Sequence, residues 1–70
     1  MIKHIVKFHQ ELNKGDSIKI ITALDNYTTY INRTDLIKPS GNVLEVYRAN
    51  GAKVAINTQY VVSICVIRRF

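Results

Sequence analysis

The stretch that decides the fold is NVLEVYRANGAKVAINTQYVVSICVI, residues 42–67. Two short runs of β-forming residues flank Asn50-Gly51, the dipeptide most typical of a tight β-hairpin. A strict two-residue loop would mix polar and apolar side chains on both faces, whereas one added bulge residue separates them. We therefore predict that Gly51 adopts the left-handed conformation of a bulge. The bulged register gives an apolar face formed by Leu44, Val46, Val54 and Ile56.

A last strand is predicted from Tyr60 to Ile67, after a short polar break at residues 57–59. Both of its sides are mostly apolar, which is typical of a strand that is covered on both faces or pairs at an interface. So short a chain has little material to cover a second face, so we predict that this strand joins the subunits of a homo-oligomer. Alternation puts Tyr60, Val62, Ile64 and Val66 on one side and Val61, Ser63, Cys65 and Ile67 on the other. We assign the oligomer interface to Val61, Val62, Ile64 and Val66.

The N-terminal residues 1–14 fit either a helix or a strand. A helix places Met1, Ile5, Phe8 and Leu12 on one stripe. A strand leaves Ile5 among polar side chains, so the apolar residues share one face better in a helix than in a strand. The sequence nevertheless leaves both structures open. In the helical interpretation, the segment ends near Lys14, with Gly15 at a left-handed cap.

The middle of the chain predicts short strands joined by turns. A tight turn is expected at Asp25-Asn26, and a weak bend over residues 33–35. The clearest loop is residues 38–42, where a proline and a glycine are typical of turns. Alternation and β-rich composition predict extended segments at residues 18–24, 27–32 and 36–37.

These segments predict a mainly β fold, a small and strongly bent five-stranded SH3-like barrel with an N-terminal helix. No repeat, low-complexity tract or linker divides residues 1–70, so we expect a single domain. A chain this short buries only about 60% of its unfolded surface and is marginally stable alone. Cys65 is the only cysteine, which excludes an intrachain disulfide and favours oligomerisation as the stabilising device.

The charge of the chain points to a class of partner. Ten Lys and Arg residues against five Asp and Glu give a net charge of +5, and such a basic protein favours nucleic acid as partner. No residue cluster has metal-ligand spacing, and no nucleophile, phosphate-loop or cofactor motif is present, so we expect neither catalysis nor a metal or cofactor. The absence of a signal-peptide pattern and of an apolar run of about 18 residues predicts a cytoplasmic protein without membrane contact.

The order of these segments resembles the Sm-like family of small SH3-like barrels. Members of that family have an N-terminal helix, a bent five-stranded barrel and a short polar turn before the last strand, which corresponds here to Thr58-Gln59. The resemblance runs from a first strand at residues 18–24 to a closing strand at 61–67. The chain differs from the family in having no glycine within residues 27–32 and no Lys-His pair at the polar turn. The resemblance implies a ring-forming homo-oligomer that binds RNA.

Positive charge beside aromatic rings is the pattern that single-stranded RNA modules use, because exposed bases stack on the rings. Tyr47 is adjacent to Arg48 and shares the solvent face of the predicted hairpin with Lys53. A second tyrosine, Tyr30, lies just before an Asn-Arg pair at residues 32–33. The C-terminal arginines suit phosphate contacts. The amide side chains of residues 57 and 59, in the polar break, could form hydrogen bonds with base edges. The candidate nucleic-acid-binding residues are Tyr30, Asn32, Arg33, Tyr47, Arg48, Lys53, Asn57, Gln59, Arg68 and Arg69.

We therefore predict a non-catalytic, oligomeric nucleic-acid-binding protein with a basic, Tyr-containing surface, and RNA rather than DNA as its ligand. Two alternatives stay open. The chain also fits a small protein-binding regulator, of the kind that phages and mobile elements encode, acting through an apolar interface. A DNA-binding module is the third interpretation.

Overall fold

The computed structural model describes residues 1–23 and 28–68. These ranges form a mainly β structure with one N-terminal helix, six strands and one 3-10 turn. The helix α1 spans Ile2–Gln10, and no helix in these ranges is long and apolar enough to cross a membrane. The 3-10 turn covers Thr58–Tyr60. The strands are β1 (Ser17–Thr22), β2 (Thr28–Asn32), β3 (Leu36–Ser40), β4 (Val43–Tyr47), β5 (Lys53–Asn57) and β6 (Val61–Ile67).

The strands form two antiparallel, three-stranded sheets. Sheet I has the order β2-β1-β6, and sheet II has the order β3-β4-β5. Within the described ranges the structure thus shows two sheets and six strands, where the sequence predicted a five-stranded barrel. The additional strand arises because a turn separates β2 from β3: the Asp35 N–H donates to the Asn32 carbonyl at 3.1 Å, and the Asp35 carboxylate accepts the Asn32 N–H at 2.9 Å.

One apolar core unites the two sheets and the helix. Alternation in β1 and β4 buries Ile18, Ile20, Leu44 and Val46 completely, and α1 contributes the equally buried Ile5. The predicted inward face of the hairpin is therefore confirmed. Leu12, Ile31 and Ile56 complete the buried set, and Phe8, Ile37, Val54, Val61, Ile64 and Val66 pack against it.

The N-terminal segment is a helix, which settles the choice that the sequence left open. It ends at Gln10 rather than near Lys14. A separate turn follows, because the Asp16 N–H donates to the Asn13 carbonyl at 3.0 Å and the Asp16 carboxylate accepts the Asn13 N–H at 3.2 Å. Gly15, with φ of 90°, lies in this turn and does not cap the helix.

The hairpin of β4 and β5 has the predicted register and loop. The Arg48 N–H donates to the Ala52 carbonyl at 2.8 Å, and the Gly51 N–H donates to the Arg48 carbonyl at 3.0 Å. Gly51 has φ of 92°, so the left-handed bulge expected there is confirmed. The register pairs Leu44 with Ile56 and Val46 with Val54.

Substitution of Gly51 by alanine is expected to lower the free energy of unfolding by about 1–2 kcal/mol. A Cβ there would meet no atom within 4 Å, so the cost comes from the backbone conformation alone. Urea unfolding would show it as a lower midpoint at unchanged slope. Gly51→Asn is the matched control, because asparagine tolerates the left-handed region better and should lose less. Equal midpoints for wild type and Gly51→Ala would contradict this expectation.

The loop predicted at residues 38–42 is wrong for its first three residues. β3 continues to Ser40, and the chain turns at Gly41 and Asn42. Pro39 lies opposite Leu44 within the ladder. A proline fits there because β3 is an edge strand and pairs with a neighbour on one side only. The missing N–H group of a proline is tolerated on the unpaired side of such a strand.

The simple alternation predicted for the last strand is also wrong. The pairing of β6 with β1 shifts register, since Ser63 lies opposite Ile21 but Val61 lies opposite Thr22. Val62 is the extra residue of this irregularity, and it is 63% exposed instead of facing inward with Ile64 and Val66. Val61 packs against the core in its place.

Candidate nucleic-acid interface

The outer face of sheet I is the side turned away from the core. Its residues occupy the alternate positions of β1, β2 and β6, which are exposed or half-buried. None of these outward positions in the three described strands carries a carboxylate. They are Ser17, Lys19 and Ile21 in β1, Thr28, Tyr30 and Asn32 in β2, and Ser63, Cys65 and Ile67 in β6.

Tyr30 and Lys19 form the centre of this face. Lys19, on the middle strand, lies directly opposite Tyr30 on one side and Cys65 on the other. Directly paired side chains of neighbouring strands stand about 5 Å apart at Cβ, so Lys19 and Tyr30 are neighbours on this face. Tyr30 is 46% exposed, so an aromatic surface is accessible to solvent on this face.

A cleft of about 260 Å³ lies at one end of the same face, where β2 ends and the segment before β1 passes. Lys14 and Arg33 bring two cations to its walls, and Asn32 joins it to the outer face of sheet I. Arg68, just after β6, reaches this place through an ion pair of 3.2 Å between its Nη1 and Oδ2 of Asp16. The lining residues are Lys14, Gly15, Asp16, Asn32, Arg33 and Thr34.

Asp16 is the carboxylate in the wall of this cleft. Its side chain is only 4% exposed, and Oδ2 accepts from the Asn13 N–H and from Arg68. The ion pair with Arg68 compensates the charge of this carboxylate. Arg68 keeps about half of its side chain exposed, so its other guanidinium donors remain accessible.

Arg48 has a structural partner. Its Nη1 donates to Oδ2 of Asp35 at 2.6 Å and to the Tyr30 carbonyl. The Asp35 side chain is 3% exposed and that of Arg48 22%, so the pair is largely withdrawn from solvent. His9 Nε2 lies 2.9 Å from the Asp35 carbonyl and links α1 to the same turn. The structure thus places Arg48 beneath the turn that carries Arg33, bridging the two sheets.

Tyr47 and Lys53 lie directly opposite each other on the outer face of sheet II. Lys53 Nζ is 2.7 Å from the Glu45 carboxylate and 5.4 Å from the centre of the Tyr47 ring. The hydrogen bond from Lys53 lowers the pKa of Glu45, and the hydrogen bond to Glu45 raises the pKa of Lys53. The carboxylate therefore offsets the positive charge that the sequence assigned to phosphate binding.

Asn57 and Gln59 lie at the 3-10 turn between β5 and β6. The Asn57 side-chain oxygen accepts the Gln59 N–H at 3.1 Å and so caps the 3-10 turn. Gln59 lines a second cleft, of about 390 Å³, together with Lys3 and Asn42. Thr58, between them, is buried and donates its hydroxyl to the Asn42 carbonyl at 2.7 Å. The side chains of Asn57 and Thr58 thus bond backbone groups, one within the turn and one 16 positions away.

The residues predicted to form the oligomer interface differ in how exposed they are. Val61, Ile64 and Val66 are half-buried against the core, while Val62 is exposed on β6, an edge strand of sheet I. Arg69 and the Asp25-Asn26 turn lie outside the described residues.

Two cations of the interface were absent from the sequence-based assignment. The sequence predicts Lys14 at the end of the N-terminal helix, whereas it lies in the turn beyond α1. Lys19 carried a usable signal, because in an alternating strand it takes the side opposite Ile18 and Ile20. Its position beside Tyr30 depends on the β1-β2 register, which local sequence did not give.

Comparison with known proteins gives no relative: no family model matches the chain, and no curated protein or solved structure matches it. Across the described ranges no group of three His, Cys, Asp or Glu side chains could hold a metal ion.

Proposed function

We propose that the chain is a non-catalytic, oligomeric nucleic-acid-binding protein that holds single-stranded RNA on the outer face of sheet I. The observation that carries the proposal is the exposed ring of Tyr30 beside Lys19, on a face whose described outward positions bear no carboxylate. Arg33 and Arg68 add positive charge at one end of that face. Cations contact phosphates, and the ring stacks on a base.

A single strand suits this surface better than a duplex. The bases of a duplex are stacked within the helix, where a tyrosine ring standing on a sheet cannot reach their faces. In single-stranded RNA the bases turn outward and stack on aromatic rings at about 1–3 kcal/mol each. The hydroxyl and amide groups of Thr28 and Asn32, on the same strand face as Tyr30, could bond the base or the ribose 2′-hydroxyl.

The finer fold assignment belongs to the same proposal. We infer that β2 and β3 are halves of one sharply bent strand, interrupted at residues 33–35, and that the two sheets are the halves of an SH3-like, Sm-like barrel. The support is the pairing of β1 with both β2 and β6, and the 3-10 turn between β5 and β6. The oligomer contact is proposed at β6, an uncharged edge strand with Val62 exposed, because such edges template pairing with another chain.

Salt dependence of RNA binding tests the proposed face. The probe is a fluorescein-labelled oligonucleotide of eight uridines, titrated by anisotropy at several salt concentrations. Lys19→Gln with Arg33→Gln is expected to lower the slope of log K against log salt by about 1.4, since each lost phosphate contact on a single strand contributes about 0.7. Lys7→Gln with Lys38→Gln removes the same charge from exposed positions elsewhere and should leave the slope nearly unchanged.

Two results would count against the proposal. One is wild-type affinity that does not change with salt, and the other is an equal loss of slope in both double variants. A duplex DNA of the same length, titrated in the same series, should bind more weakly than the RNA. Tighter binding of the duplex would favour the DNA-binding alternative.

A second candidate function rests on sheet II. Leu36 is 71% exposed and lies directly opposite Tyr47, so the outer face of that sheet carries an apolar pair in solvent. Such a pair suits contact with a protein, as expected of a small regulator. Leu36→Lys leaves RNA binding intact if the proposed face is right, and it would abolish capture of a protein partner if the regulator alternative holds.

A further inference from the structure

We propose that the cleft between β2 and the turn before β1 binds the terminal phosphomonoester of a nucleic-acid strand, at its 5′ or 3′ end. The cleft is lined by Lys14, Gly15, Asp16, Asn32, Arg33 and Thr34. This inference rests on the proposed function and specifies which group of the bound strand lies at this end of the outer face of sheet I.

Charge at the cleft matches a terminal phosphate. Lys14 and Arg33 line it, and Arg68 is bound to its wall through Asp16. Three cations against one carboxylate leave these four side chains with a net charge of +2. An internal phosphodiester carries one negative charge, whereas a phosphomonoester carries about 1.5 to 2 at neutral pH. The dianion therefore gains more from this concentration of positive charge.

The donors of the cleft suit three terminal phosphate oxygens. The planar Arg33 guanidinium binds phosphate oxygens in a bidentate fashion, and Lys14 adds a point charge. The Thr34 hydroxyl and the Asn32 amide supply neutral donors on the same wall. Gly15 has no side chain to fill the space, and a volume of about 260 Å³ admits a phosphate with some of its water.

The cleft also has the right position relative to the stacking ring. Asn32 lies at its edge and is two residues from Tyr30 on the same face of β2, which corresponds to about 7 Å along the strand. A phosphate in the cleft therefore leaves its own nucleotide within reach of the Tyr30 ring. Charge, donors and distance together point to the end of a strand.

The test compares one octauridine strand with hydroxyl groups at both ends, with a 5′-phosphate, and with a 3′-phosphate. We expect one of the phosphorylated strands to bind the wild-type protein about tenfold more tightly than the hydroxyl-ended strand. The strand that binds more tightly shows whether the cleft holds a 5′- or a 3′-phosphate. In Lys14→Gln the ratio should fall to within about twofold of one. Lys7→Gln, which removes an exposed lysine of α1, should keep the full ratio.

Equal affinity for all three strands in the wild type would overturn the inference while leaving the proposed function in place. An undiminished ratio in Lys14→Gln would also overturn it. Failure of the hydroxyl-ended strand to bind would instead count against the proposed function. In that case, amide shifts of Lys14, Gly15, Arg33 and Thr34 with uridine 5′-monophosphate, but not uridine, support the cleft, and their absence overturns it.

Discussion

Arg48→Ala is expected to lower the free energy of unfolding by about 3–5 kcal/mol, because it leaves a buried carboxylate without its cation. The Asp35 side chain is 3% exposed and lies 2.6 Å from the guanidinium, so water cannot readily replace the lost partner. The same substitution removes the hydrogen bond to the Tyr30 carbonyl. For a domain of this size a loss of about 3 kcal/mol lowers Tm by roughly 12–24 °C.

Thermal and urea unfolding of a small variant set would measure this effect. Arg33→Ala is the matched control, since it removes an exposed arginine two residues from Asp35 and should cost less than about 0.5 kcal/mol. Asp35→Asn combined with Arg48→Ala should be less destabilised than the Arg48 variant alone, because no buried charge remains. Equal stability of Arg48→Ala and Arg33→Ala would show that the ion pair does not hold the turn.

Tyr30→Ala is expected to weaken single-stranded RNA binding by about 1–3 kcal/mol, or roughly 5- to 150-fold, because one base loses its stacking surface. Tyr30 is 46% exposed, so the loss of stability should be small. Tyr30→Phe keeps the ring and should bind within about threefold of wild type. Anisotropy titration at one fixed salt concentration measures all three proteins.

Tyr47→Ala serves as the matched control for this prediction. Tyr47 is 36% exposed and also has a lysine nearby, but it lies on sheet II, where Glu45 offsets that lysine. We expect little change in RNA affinity from this substitution. A larger loss from Tyr47→Ala than from Tyr30→Ala would move the binding surface to sheet II.

Local sequence predicted the parts of the fold that depend on local chemistry. The Asn50-Gly51 dipeptide and the alternation on either side of it determined the hairpin register, and the apolar stripe through Ile5 predicted the helix. The extent of β3 could not be predicted, because Pro39 is compatible with a strand only at a sheet edge. The irregularity at Val62 could not be predicted either, because it depends on the register between β6 and β1.

The candidate site was less predictable, because it depends on contacts between distant residues. Tyr30, Asn32 and Arg33 are neighbours in sequence and on the surface, and that group was assigned from sequence. Arg68 reaches the site through its ion pair with Asp16, which is 52 positions away. The sequence predicts that Arg48 contacts nucleic acid, and it does not indicate the pairing of Arg48 with the buried Asp35, 13 positions away.

The most direct test of the account is an NMR titration of the labelled protein with the hydroxyl-ended octauridine strand. We predict that the largest amide shifts fall on Lys19, Tyr30 and Arg33 and their neighbours on β1, β2 and β6. Shifts concentrated on the row of Leu36, Tyr47 and Lys53 in sheet II, or no shifts at millimolar RNA, would contradict it.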